Sequence, residues 1–140
     1  MARHHARELA LRVLFEHDLA STSVQDVLDR TLKGASPEDG KYARMLVEGT
    51  LAEQPAIDQW IRGVARGWRL ERMPPIDRNI LRLACYEMMC EPNLPISVII
   101  DEALELAQDY STDEAKRFVN GVLGTIAQKL RPDGDRDQPR

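Results

Sequence analysis

Apolar residues recur every three and four positions along most of the chain, the period of a helix with one buried face. Ala6, Leu9, Ala10, Val13 and Leu14, with Leu11 beside them, make a wide apolar arc. That arc predicts a first helix from about Arg3 to Leu19. A short second helix follows Ser23 and uses Val24, Val27, Leu28 and Leu32. Ser36 as N-cap, with Pro37 in the first helical position, opens a third that carries Tyr42, Met45, Leu46 and Gly49. Pro55 opens a fourth with Ile57, Trp60, Ile61 and Val64 on one face, and Gly67 ends it. Met73-Pro74-Pro75 is a stiff connector. The fifth helix is apolar on nearly every side, through Ile80, Leu81, Leu83, Ala84, Cys85, Met88 and Met89, which places it in the middle of the core. The stretch from Glu91 to Pro95 closes it. Ile99, Ala103, Leu106, Ala107 and Tyr110 predict a sixth helix; Phe118, Val122, Leu123 and Ile126 predict a seventh. Ser111 followed by Glu114 fits a capping box, with Ser111 or Thr112 as the start of the last helix. Gly121 lies inside that helix, where Gly costs about 1 kcal/mol relative to Ala. A crowded helix crossing or a functional constraint at Gly121 is the expectation. No segment alternates as a strand does. Short loops between amphipathic helices predict an all-α, compact bundle of about seven helices.

The chain has 140 residues, of which 43% are hydrophobic, enough for one globular domain with a real core. Only 5% are aromatic, so Leu, Ile, Val, Met and Ala must fill it. No apolar run approaches the roughly 18 residues that span a membrane, and the N-terminus lacks the apolar region of a secretory signal. Cys85 and Cys90 are five apart on one helix and point in different directions, as reduced residues of a cytosolic, hence cytoplasmic, protein would. The polar segment 132–140 is expected to be a disordered tail after a domain spanning 1–131.

The formal net charge of -4 argues against a strong stand-alone nucleic-acid binder, yet its distribution is uneven. Residues 62–82 hold Arg62, Arg66, Arg69, Arg72, Arg78 and Arg82 against Glu71 and Asp77. Residues 91–114 hold Glu91, Asp101, Glu102, Glu105, Asp109, Asp113 and Glu114 with no Lys or Arg. Either the molecule is polarised, with one face for an anion and another for a basic protein, or these are ordinary solvated helix faces.

Catalytic chemistry finds no support. There is no nucleophile elbow, P-loop, H-E-x-x-H or Gly-rich phosphate turn. Glu102 and Glu105 share a helix face as in a di-metal site, but no His lies near them in sequence. No metal site and no cofactor are expected.

Pro95-Ile96-Ser97-Val98-Ile99-Ile100-Asp101-Glu102-Ala103-Leu104-Glu105-Leu106-Ala107, followed by Lys116-Arg117-Phe118-Val119-Asn120-Gly121-Val122-Leu123, closely resembles the signature of the NusB family. Ile76 to Glu87 is similar to that family's central helix, and Arg7 to Phe15 to its first. The four blocks occur in family order, and the likeness covers nearly the whole chain. The resemblance implies two packed helical sub-bundles, divided near Arg69–Pro75. It implies a non-enzymatic adaptor that, with NusE, recognises boxA-type single-stranded RNA and helps RNA polymerase resist termination, chiefly on ribosomal RNA operons. Two alternatives stay open: a homodimer that hides its basic face, and an accessory domain like the N-terminal region of RNA cytosine methyltransferases.

For RNA, Arg3, His4, His5 and Arg7 stand where the family has an arginine-rich motif; here His4 and His5 replace arginines. Arg3 and Arg7 are four apart and so share a helix face. Guanidinium groups pair with phosphates and stack on bases. Lys116 and Arg117 are further phosphate candidates. Helical spacing puts Phe118 in the core, whereas the resemblance gives it a boundary position from which to stack on an unpaired base. For NusE, the resemblance points to Phe15, Leu19, Asp77 and Glu87.

Overall fold

The computed structural model describes residues 3–135, and these form seven α-helices and one short 3-10 turn, with no strand among them. The helices are α1 (His4–Ala20), α2 (Val24–Thr31), α3 (Pro37–Ala52), α4 (Gln54–Val64), α5 (Pro75–Cys90), α6 (Ile96–Tyr110) and α7 (Asp113–Leu130); the 3-10 turn is Leu70–Arg72. Local chemistry sets most of the ends. The Ser23 and Ser36 hydroxyls accept from the backbone N–H of Asp26 and Asp39, capping α2 and α3. α1 stops at Ser21, which turns left-handed at φ +52° and returns its N–H to His17. α4 stops at Val64, three residues before Gly67; that glycine, at φ +84°, turns the loop that follows.

α1–α3 pack into one sub-bundle and α4–α7 into a second, because α4 lies against α5 and α7 more than against α3. The division falls between α3 and α4 and not near Arg69–Pro75, and α5 touches α1, α3, α4, α6 and α7. α5 is thus the central helix that its all-round apolar pattern predicts. Its residues from Asn79 to Met88 are all buried, and Leu83 is essentially inaccessible. Each such Leu or Ile stabilises by about 1.5–3 kcal/mol relative to full exposure. The tightest crossing joins α3 to α5: a Cβ at Gly49 would collide with the Tyr86 ring.

Two expectations need correction, and an open choice between Ser111 and Thr112 is decided. Gly121 is exposed and a Cβ there would meet nothing, so no crowding explains it. The cap of α7 is Thr112, whose hydroxyl accepts from Ala115 N–H at 3.0 Å; Ser111 instead donates to Asp77 at 2.6 Å. The tail is also not free from its first residue. Asp135 accepts from Ile96 N–H at 3.1 Å, satisfying the start of α6, and Arg131 ties it down at 2.9 Å. The Arg131 guanidinium also donates to the carbonyls of Met88, Glu91 and Leu94, stitching the α5–α6 connection to the end of α7. The remainder of the expected tail, 136–140, lies outside the described residues.

Candidate nucleic-acid and protein interfaces

The first turn of α1 carries the expected basic motif, but its four side chains meet different fates. Arg3 is exposed and lays its guanidinium over the Tyr42 ring, 4.2 Å from the centroid. His5 is exposed, with only Glu8 nearby at 3.4 Å. Arg7 does not face solvent. It is 1% exposed, its Nε donates to both Glu87 oxygens at 3.1 and 3.2 Å, and its Nη2 adds a third bond at 2.9 Å. Tyr42 donates its hydroxyl to the same carboxylate at 2.8 Å, and Arg7 Nη1 reaches Glu102 at 3.4 Å. Burial alone would lower the Arg7 pKa, but the Glu87 hydrogen bonds and charge raise it. Burial and the Glu87 charge push the Tyr42 hydroxyl up, so it stays a donor. Arg7 and Glu87 therefore hold each other inside the molecule, which corrects the expectation that one meets RNA and the other a protein.

His4 faces acid. Its Nδ1 lies 2.8 Å from Glu102 Oε1 and 3.3 Å from Glu105 Oε2, and its Nε2 lies 3.9 Å from Glu8. Partial burial opposes its charge, yet the Glu102 hydrogen bond and the charges of Glu102, Glu105 and Glu8 raise its pKa above the ordinary 6.5. The histidine absent from the sequence neighbourhood of Glu102 and Glu105 is thus present in space.

On α7, Arg117 is exposed and Lys116 half-buried, donating to Gln108 of α6 at 3.0 Å. Lys116 shares a depression with Glu102, Glu105 and Gln108 of α6, and Glu102 and Glu105 are the residues His4 meets, so α6 links the two candidate RNA blocks. Phe118 is half-buried, and its ring stands 5.0 Å from that of Trp68. Trp68 is 60% exposed, and Arg66, Arg69 and Arg72 around it are exposed as well. Sequence reasoning missed Trp68. Its signal was available: an aromatic between two arginines in a glycine-turned loop, Arg66-Gly67-Trp68-Arg69.

The basic stretch is smaller in space than in sequence. Arg82 is buried and forked onto Asp58 at 2.9 and 3.1 Å. Arg78 donates to Asp18 at 2.7 Å, with Asn79 and Arg82 on the same oxygen. Burial raises the Asp18 pKa, but these partners outweigh it and hold the carboxyl below its usual range. Arg62 pairs with Glu71 at 2.7 Å.

The protein-contact residues separate too. Phe15 is half-buried and Leu19 is 56% exposed. Both line an open, largely apolar groove of about 870 Å³ between α1, the end of α2 and the Pro74–Ile76 corner, with Leu11, Arg12 and Tyr110 on its wall. Asp77 starts α5 beside that groove but is buried under Ser111, so it presents no carboxylate to a partner. Cys85 and Cys90 are free thiols, the first buried with its pKa pushed up to about 12 by desolvation, the second half-buried.

Known proteins share this sequence pattern and fold. The profile described as the NusB family matches residues 4–128. A transcription antitermination protein NusB of Desulforudis audaxviator is 44% identical over 131 residues, covering 92% of this chain and 95% of that one. The fold superposes on T. maritima NusB with a TM-score of 0.85 at 34% identity, covering 91% of each chain. It also superposes on a chain of the crystal structure of antitermination factors NusB and NusE in complex with dsRNA, with a TM-score of 0.83, 25% identity and coverage of 92% and 99%. With the family profile spanning nearly all the described residues and a relative 44% identical over 95% of its length, the chain belongs to the NusB family.

Proposed function

We propose that this protein is a non-catalytic RNA-binding adaptor in transcription antitermination. With NusE it binds boxA-type RNA on nascent ribosomal transcripts and supports RNA polymerase against termination. The observation that carries this reading is the Trp68–Phe118 ring pair, set at the surface among Arg66, Arg69, Arg72 and Arg117. An exposed ring backed by a half-buried one, with arginines close by in sequence, suits unpaired bases on a phosphate backbone. Arg3, His5 and Lys116 extend the basic surface. Phe15 and Leu19 offer NusE an apolar groove that the protein itself does not fill. The superposition on a NusB that is complexed with NusE and dsRNA supports the same assignment of partners.

The test is titration of boxA and scrambled RNA, each with and without NusE. Phe118→Ala and Trp68→Ala should each weaken boxA binding by about 1–3 kcal/mol, the value of a base stacked on an aromatic ring, and reduce discrimination. Arg3→Ala with Arg117→Ala should weaken both RNAs alike and flatten the salt dependence, because phosphate contacts carry little sequence information. Leu19→Glu should remove the enhancement by NusE. No binding to boxA in the presence of NusE would overturn the reading. So would a dimer, seen by light scattering, that RNA and NusE together do not dissociate.

A further inference from the structure

We propose that His4, Glu102 and Glu105 form a binding site for one divalent transition-metal ion, with zinc the ion their donors suit best. The three ligand atoms, one imidazole nitrogen and two carboxylate oxygens, lie within 4.8 Å of one another. His4 Nδ1 is 2.8 Å from Glu102 Oε1 and 3.3 Å from Glu105 Oε2. Around a tetrahedral zinc with bonds of roughly 2.0–2.2 Å, neighbouring ligand atoms stand about 3.3 Å apart. Of the three edges, His4–Glu105 already has that length, His4–Glu102 needs to open by about half an ångström, and the one between the two carboxylates lies within 4.8 Å. The donor set selects among metals. An imidazole suits zinc, copper, iron and nickel, and a roughly tetrahedral spacing of the donors favours zinc among them, whereas calcium wants six or more oxygens and magnesium keeps its waters in a strict octahedron.

The site is built on two rigid elements, the first turn of α1 and the middle of α6, where Glu102 and Glu105 are three apart and share a face. Glu102 is buried, and Arg7 Nη1 holds its carboxylate from behind at 3.4 Å. That guanidinium makes three shorter hydrogen bonds to Glu87, so its hold on Glu102 is the weaker of the two. Glu105 is exposed and leaves the fourth position open to water. Glu8 lies 3.9 Å from His4 Nε2 and would have to close on that nitrogen to orient a metal-bound imidazole through it. Asp109 and Glu8 make a second donor set on that other edge of the same ring. The first set is the better one because its atoms are closer and one carboxylate is fixed by burial. Bound metal would clamp the start of α1, which carries Arg3 and His5, onto α6.

The experiment titrates untagged, chelator-treated protein with Zn2+ by calorimetry and with Co2+ by its visible absorption. Native protein should bind one equivalent saturably. His4→Ala and Glu105→Gln should each lose that binding; both side chains reach the surface, and far-UV circular dichroism checks that the helices remain. His17→Ala, Cys90→Ser and Asp109→Asn should keep it. Three results would overturn the proposal: no saturable binding by the native protein, binding unaltered in His4→Ala or Glu105→Gln, or loss in Asp109→Asn with Glu105→Gln unaffected, which would put the ion on the other edge of the ring.

Discussion

Arg7 and Glu87 each look like surface residues by type, and each is 1% exposed. A buried pair of this kind is weak evidence for added stability, because desolvation of two charges offsets most of their attraction. Removing one partner is another matter. Glu87→Ala leaves the Arg7 guanidinium and the Tyr42 hydroxyl without their shared acceptor, and denaturant melts should show a loss of about 3–5 kcal/mol. A loss below about 1 kcal/mol, the range of exposed pairs, would mean that Arg7 reaches water in solution. His4 allows a second test. Its pKa is raised in the folded state, against desolvation, by Glu102, Glu105 and Glu8, with Asp109 near the same edge. At pH values below about 6.5 the imidazole is protonated folded and unfolded, and its contribution to stability is fully present. The contribution falls away as pH rises through the folded-state pKa. The stability margin of native protein over His4→Ala, measured with chelator present, should therefore be larger at pH 6 than at pH 9. A margin that stays level or grows with pH would contradict the ion pairs seen here. The same carboxylates turn His4 away from the role in RNA contact that its place in the basic motif suggested.

At the scale of helices, most of the fold was legible in the residue pattern. Periodicity located all seven helices, and Ser23, Ser36 and the paired prolines marked their starts, because caps act within a few residues of sequence. The glycines were not legible. Gly121 looked constrained and is open, whereas Gly49, grouped with Tyr42, Met45 and Leu46 on α3 without any sign of constraint, leaves no room for a Cβ beside Tyr86 of α5. Which glycine matters depends on what a different helix brings against it, and no local pattern contains that. Two substitutions separate the cases. Gly121→Ala should stabilise by up to about 1 kcal/mol, the helix preference of Ala over Gly. Gly49→Ala should destabilise by about 1–3 kcal/mol as the Tyr86 ring is forced aside. Thermal melts of both variants would reveal the reverse order if the α3–α5 crossing were looser than described. Ser111 illustrates the same limit: it fits a cap by sequence, but Asp77 claims its hydroxyl.

For the molecule as a whole, charge read along the chain overstated the basic face. Of the arginines in the basic stretch, Arg78 and Arg82 turn inward onto Asp18 and Asp58, and Arg62 is neutralised by Glu71. What remains exposed is Arg66, Arg69 and Arg72, joined by Arg117 from another helix. The likeness to the family placed Phe118 at a boundary, but its ring partner Trp68 lies fifty residues upstream and enters only through folding. Phe15 and Leu19 were legible as edge residues because they sit at the limit of the apolar arc of α1. Asp77 and Glu87 were not, since burial of a carboxylate depends on a donor elsewhere.

The long reach of Arg7 also bears on how the chain closes during synthesis. Its carboxylate partners Glu87 and Glu102 are made eighty and ninety-five residues after it. Until α5 leaves the ribosome, Arg7 lacks the carboxylate it is buried with, although α2 and α3, which also pack on α1, are already made. α1 therefore has early neighbours for its apolar arc, but its Arg7 end can be sealed only after α5 and α6 arrive. That sealing falls to the second half of the chain, where α6 meets both His4 near one terminus and Asp135 near the other.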